Sequence, residues 1–194
     1  MRLSAFPPST VPNVELDATR PGRPRAVLFD RDGTLVVDVP YNGDPDRVEL
    51  MPGAIPALDR VRAAGLPVGL VTNQSGIARG LLTRDAADAV NARLGALVGG
   101  FDTVQVCPHG PDEGCPCRKP RPGMVLAAAR ELGLAPAEVV VIGDIGADVA
   151  AAAAAGARGI LVPTPVTRPE EVAAASETAP DLAVAVALAL QDAA

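Results

Sequence analysis

At 194 residues, with 48% apolar but only 2% aromatic side chains, the chain suits one domain whose core is built from Ala, Val, Leu and Ile. A net charge of −6 excludes nonspecific binding to nucleic acid or to an anionic membrane surface, yet leaves room for a small anion held by local positive charge. No run reaches the roughly 18 to 20 apolar residues of a membrane span, and the opening MRLSAFPPSTVPN lacks the apolar core of a secretory leader, so a cytoplasmic location is expected.

Residues 1–25 carry prolines at 7, 8, 12, 21 and 24 and read as a loose tail or surface strap ahead of a single domain over 26–194. Short β-rich runs then recur: AVLFD (26–30), PVGLVT (67–72), DTVQVC (102–107), EVVVIGD (138–144) and GILV (159–162). Helical periodicity fills the intervals at 52–64, at 83–97, from Pro122 towards Gly133, and in the alanine run that ends at Gly156. The last segment, DLAVAVALALQDAA, fits either a short strand plus helix or one helix. Strand alternating with helix predicts a doubly wound α/β fold with a mainly parallel sheet. The stretch 35–51 has length for a small flap only, so the domain is expected to be capless, its cleft open to solvent.

In such a sheet, ligands bind beyond the carboxyl ends of the strands. Asp30 and Asp32 leave the first strand at a spacing that puts both carboxylates on one side. Two adjacent carboxylates repel unless a cation lies between them, and a hard, oxygen-seeking ion such as Mg²⁺ meets that need. Taken alone, DRDGT also suits a solvated turn. A second acidic pair, Asp144 and Asp148 in GDIGAD, follows the fourth apolar run, although Asp144 could simply cap the next helix. Thr72, Asn73, Ser75 and Gly76 after the second run offer a hydroxyl, an amide and backbone N–H groups for phosphate oxygens, and Arg118 and Lys119 precede a helix start.

All three cysteines and the single histidine fall within CPHGPDEGCPC. Cys107, His109, Cys115 and Cys117 supply three sulfurs and an imidazole, a closed set for a structural Zn²⁺ with no position left for catalysis. The spacing is not that of a nucleic-acid finger.

Together, DRDGT, the threonine of VTNQSG, Lys119 and GDIGAD resemble the four motifs of the haloacid dehalogenase superfamily of phosphotransferases, in order, across about residues 26–162. TNQSGIARG, the Cys-His loop with RKPRPGM, and VVDVPYN resemble the branch acting on heptose 1,7-bisphosphate; the related histidinol-phosphate phosphatases share the zinc loop. The resemblance implies that Asp30 attacks phosphorus to form an aspartyl phosphate and that Asp32 serves as general acid and base. It further implies Mg²⁺ on Asp30, the backbone carbonyl of Asp32 and Asp144, with Asp148 behind them. Thr72 and Lys119 would bind the transferring oxygens, and Asp38, Tyr41, Asn73, Gln74, Ser75 and Arg118 the sugar or its second phosphate. The expected partner is a small phosphorylated sugar, met by a monomer without nucleic acid or membrane.

One departure stands out: the branch carries a basic residue directly after its GD, and this chain has Ile145. Arg79 and Arg121 are candidates to compensate, or are surface residues. Histidinol phosphate or another small phosphomonoester is the alternative substrate. Two readings lie outside that chemistry. A phosphoacceptor signalling domain shares the fold and the phosphorylated Asp, but Asp32 would shorten the life of its acyl phosphate. A zinc-organised binding module would keep its function on Asp30→Asn.

Overall fold

The structure is a computed structural model that describes residues 24–191. The expected tail lies outside the described residues up to position 23. Where the chain enters, the backbone N–H of Arg25 donates to the carbonyl of Glu138 at 2.7 Å.

Five strands, β1 (Ala26–Phe29), β2 (Val68–Asn73), β3 (Thr103–Cys107), β4 (Val139–Gly143) and β5 (Arg158–Leu161), form one sheet in the order β3-β2-β1-β4-β5. Every pairing is parallel. The central strands β1 and β4 are buried along their whole length, which is why their sequences are unbroken apolar runs rather than alternating ones.

The two-residue period still sorts their side chains. Val27, Phe29, Val140 and Ile142 face one core layer and Ala26, Leu28, Val139 and Val141 the other. The first layer is closed by α1 (Ala54–Ala63), α2 (Arg84–Val98) and α6 (Leu182–Ala189), through Leu58, Val61, Leu94, Val98, Leu182 and Val186. The second is closed by α3 (Gly123–Glu131) and α4 (Gly146–Ala155), whose Ala128, Ala129, Ala151 and Ala152 let the helices approach the sheet closely. The fold is therefore doubly wound.

The ambiguous C-terminal segment forms one helix. Asp181 caps α6 by accepting the N–H of Val184 at 2.8 Å. A short helix the sequence did not suggest, α5 (Pro169–Ala174), follows β5, after which residues 177–179 run along the outer edge of that strand, bonding to Leu161 on both sides. That strap covers an otherwise open sheet edge.

Between β1 and α1, residues 35–37 and 49–51 pair as a small flap, with N–H groups of Val37 and Met51 donating to Glu49 and Leu35 at 2.9 Å each. Among the described residues no segment builds a separate lid domain. β1 passes to a helix on one face and β4 to a helix on the other, so the crevice between their carboxyl ends is a topological switch point, where ligands bind in such sheets.

Candidate active site

The backbone N–H of Asp30 donates to the carbonyl of Ile142 at 2.9 Å, carrying the β1–β4 register one residue past the strand and setting Asp30 beside the end of β4. Asp144 and Asp148 enter from β4 and α4, and carboxylate oxygens of all three residues lie within 4.8 Å of one another. All three are buried. Asp148 caps α4, its Oδ2 accepting the N–H of Ile145 at 3.2 Å, so Asp144 is not needed as the cap and turns to the cleft. Thr34 donates to Asp144 Oδ1 at 3.3 Å, and Thr167 donates to its carbonyl at 2.6 Å.

Lys119 is the buried cation among these acids. Its Nζ lies 2.6 Å from Asp30 Oδ1 and 2.5 Å from Asp148 Oδ1, and it donates to the carbonyl of Val71 at 2.9 Å. Its main chain is clamped by Asn73, whose Oδ1 accepts the Lys119 N–H at 3.1 Å while Nδ2 donates to its carbonyl at 3.2 Å.

Three carboxylates and one ammonium leave two negative charges without a partner. Burial pushes Asp30 up to about 8, helped by the charges of Asp148 and Asp32 and opposed by Lys119. Burial likewise lifts Asp144 to about 7, with Asp148 adding to it and the Thr34 hydroxyl working against it. Burial alone would lower the Lys119 pKa, but the Asp148 and Asp30 carboxylates raise it above the ordinary lysine value, so the ammonium stays charged. Strain of this kind marks sites built to receive charge.

Two glycines make the cluster geometrically possible. Gly33 has φ +78°, and a Cβ there would run into the Asp144 carboxylate; a Cβ on Gly143 would meet Asp148.

Asp32 is held from two sides. Gln74 Nε2 donates to its Oδ2 and to Thr72 Oγ1, each at 2.9 Å, and Arg31 donates through Nε to Oδ1 at 3.1 Å. Thus Gln74, expected to meet a sugar, spends its amide inside the site, and Arg31, which the sequence reading passed over, is a structural partner of Asp32.

A cavity of about 340 Å³ opens in front of these groups, lined by Asp30, Asp32, Thr72, Lys119 and Asp144 at its base. Asp38, Tyr41, Asn73, Gln74 and Ser75 line its wall, joined by Ile145 and Val166. Arg118 is not part of that lining; its guanidinium donates to the His109 carbonyl at 3.2 Å. Arg121 likewise donates to the Cys115 carbonyl at 2.7 Å. Arg79 is also outside the lining, but it donates to the hydroxyl of Tyr41, a wall residue, at 2.7 Å and lies 5.8 Å over its ring. A larger groove of about 670 Å³, over α4 and α5, contains none of the expected catalytic residues.

The Cys-His cluster lies beside the strand ends. Cys107 Sγ is 3.7 Å from Cys115 Sγ and 3.6 Å from His109 Nδ1, and Cys117 Sγ is 3.3, 3.6 and 3.2 Å from Cys107, Cys115 and His109. A tetrahedral zinc requires about 3.8 Å between sulfurs and about 3.6 Å from sulfur to nitrogen, so these four donors could hold one with small adjustment.

The HAD-hydrolase-like family profile matches residues 116–190. The D-glycero-β-D-manno-heptose-1,7-bisphosphate 7-phosphatase of Pseudomonas putida is 41% identical over 145 residues, covering 72% of this chain and 83% of its own. The enzyme of the same name from Bordetella bronchiseptica is 39% identical over 145 residues, or 72% and 81% of the two chains. Among solved structures, the D,D-heptose 1,7-bisphosphate phosphatase of B. bronchiseptica, complexed with magnesium and phosphate, aligns with a TM-score of 0.77 at 37% identity over 87% of this chain and 99% of that one. At 39 to 41% identity to relatives covered over four fifths of their length, the chain belongs to the D-glycero-β-D-manno-heptose-1,7-bisphosphate 7-phosphatase family of haloacid-dehalogenase-like phosphatases.

Proposed function

We propose that the chain removes the 7-phosphate of D-glycero-β-D-manno-heptose 1,7-bisphosphate through a phosphoenzyme on Asp30. The observation that carries this reading is the convergence of Asp30, Asp144 and Lys119 at the end of the two central strands, facing an open cavity with the buried Asp148 behind them. In the first half-reaction an Asp30 carboxylate oxygen bonds to phosphorus as the P–O bond to the sugar breaks, and Asp32 gives its proton to the departing oxygen. In the second, water attacks the aspartyl phosphate, its proton goes to Asp32, and Asp30 is released with inorganic phosphate. Splitting the hydrolysis this way lets one positioned acid serve both halves. Thr72 and Lys119, both lining the cavity base, would hold the transferring oxygens.

The donors at the base of the cavity suit Mg²⁺: Asp30, the Asp32 carbonyl and Asp144 would hold it, with Asp148 kept behind them by Lys119. When bound, the ion would supply charge to the phosphoryl oxygens and favour the ionised forms of Asp30 and Asp144, which burial and the neighbouring carboxylates disfavour. Zn²⁺ would sit in the Cys-His cluster as a structural ion. It would stiffen the loop to which Arg118 and Arg121 are tied, and so the segment that presents Lys119.

The substrate assignment draws on the names of the relatives and on the cavity wall. Ile145 gives no charge, and Arg118 and Arg121 are bound to loop carbonyls, so Arg79 on Tyr41 is the cation proposed for the anomeric phosphate. Phosphate release with Mg²⁺ should be fastest with the β-heptose bisphosphate in a panel that includes its α anomer, fructose bisphosphate and histidinol phosphate. Equal rates across the panel would remove the heptose assignment. Asp30→Asn should abolish release from all of them; retained turnover would remove the phosphatase mechanism itself.

A further inference from the structure

Arg31 has the largest side chain among the fully buried residues, with 1% of its surface exposed. Its alternation with Val27 and Phe29 sends it to the α2 side of the sheet, into a layer otherwise made of apolar groups. Burying a guanidinium is costly unless it is paired and hydrogen-bonded. Its partners are few and specific. Nε donates to Asp32 Oδ1 at 3.1 Å and to Oδ2 at 3.2 Å, NH2 lies 3.1 Å from Oδ2, and NH1 donates to Asn91 Oδ1 of α2 at 2.8 Å. The Asn91 amide Nδ2 is buried with no partner among the described residues, so the acceptor oxygen is the atom through which this side chain acts. Because Asn91 is neutral, it anchors the guanidinium without competing for its charge, which is left to Asp32.

We propose that Arg31, anchored by Asn91, is a positioning residue that fixes the Asp32 carboxylate for proton transfer to the leaving oxygen. The proposal rests on the reading of Asp32 as the proton-transfer group. A fork-shaped donor sets the plane of a carboxylate as well as its distance, and Gln74 closes the other side with a 2.9 Å bond to Oδ2. The proton travels from Asp32 to the sugar oxygen as its bond to phosphorus breaks, and returns from water when the aspartyl phosphate is hydrolysed. Nothing in this cycle moves a proton onto Arg31.

The test compares kcat/KM of the Mg²⁺-loaded enzyme on the heptose bisphosphate and on p-nitrophenyl phosphate, whose phenolate departs without needing a proton. Asn91→Ala and Arg31→Met should lower the ratio of the two values at least about 10-fold, because misplacing a reacting group costs only the step that uses it. Arg31→Lys, which keeps the charge but not the fork, should fall between them and the unaltered enzyme. Should Arg31→Met fail to fold, Asn91→Ala carries the comparison. Combined with Asp32→Asn, Asn91→Ala should cost nothing further in single-turnover phosphate release. Equal losses on both substrates, no loss on either, or a full additional loss beside Asp32→Asn would overturn the positioning role. Loss of all turnover in Asp30→Asn together with an unchanged ratio in Asn91→Ala and Arg31→Met would remove this inference and leave the phosphatase reading intact.

Discussion

The molecule holds two clusters of metal-binding type within one end of a single sheet, and they are built on opposite principles. The Cys-His set is closed: four donors already lie 3.2 to 3.7 Å apart in the measured pairs, the loop carbonyls around it are tied by Arg118 and Arg121, and no donor faces the cavity. The carboxylate set is open, lining a cavity with more negative charge than its one lysine can balance. Burial pushes Cys107 up to about 12, so without a cation that thiol stays protonated and inert; burial also lifts Asp30 and Asp144, but towards neutral pH, where they respond to an arriving ion. Closure gives rigidity and imbalance gives reactivity.

The sharpest way to break the contrast is to remove the cation between the acids. Lys119→Met should lower kcat on the order of 10³-fold, since it deletes a preorganised positive charge at the transferring phosphoryl group. It also leaves Asp30 and Asp148 facing each other, so Mg²⁺ affinity, read by titration calorimetry, should change as well. A variant with unaltered kcat would mean that Lys119 only balances buried charge.

Opening the closed set should cost less activity and more stability. Cys117→Ser should release zinc, measured by metal analysis, lower Tm by roughly 10 °C, or about 3 kcal/mol at this chain length, and reduce activity on the order of 10-fold to 100-fold. Full activity in a zinc-free protein would uncouple the loop from Lys119. Protein purified without chelator should contain close to one zinc per chain.

Much of this contrast was legible in the sequence. The five apolar runs match the strands to within one residue at either end, and β1, β3 and β4 are each bounded on both sides by a charged residue or Pro where the strand stops. Both clusters were legible too, since chemistry-bearing side chains concentrate at those same ends. What escaped notice depends on contacts between distant segments. Arg31 reads as a polar residue in a turn, although its parity with Val27 and Phe29 was a signal that it enters the core. Gln74 reads as a substrate contact until Asp32 and Thr72 are seen beside it. The helix α5 is six residues long and its start is fixed by Arg168 and Glu171, a local exchange that apolar periodicity does not report.

The imbalance itself is measurable through pH. Asp30 and Asp144 have folded-state values of about 8 and about 7, above the ordinary carboxylate range. In the window between, the folded protein binds more protons than the unfolded chain, so these groups lower stability as pH rises. Metal-free protein should therefore lose Tm from pH 5 to pH 8, and the increase in Tm caused by Mg²⁺ should be larger at pH 8 than at pH 5. An Mg²⁺ effect independent of pH would show that the ion does not displace protons from these carboxylates.

The smallest effect concerns the cavity mouth, where neither cluster reaches. Arg79 is exposed, held by the Tyr41 hydroxyl and ring, and Tyr41 itself adopts a left-handed backbone at φ +53° that few residues of its type accept. Tyr41 lines the cavity, and the guanidinium packs on it from outside the lining. If the anomeric phosphate meets Arg79, Arg79→Ala should raise KM for the heptose bisphosphate about 10-fold, the loss of one charge-assisted hydrogen bond, with kcat nearly unchanged. Substrates with a single phosphate should be insensitive to the change, because only the second anion reaches the mouth. Ile145→Lys, which adds a cation to the cavity lining, should recover the loss in the Arg79→Ala background. No loss from Arg79→Ala, together with a lower KM from Ile145→Lys alone, would move the anomeric phosphate to the Ile145 side and leave Tyr41 and Arg79 as a support for the flap.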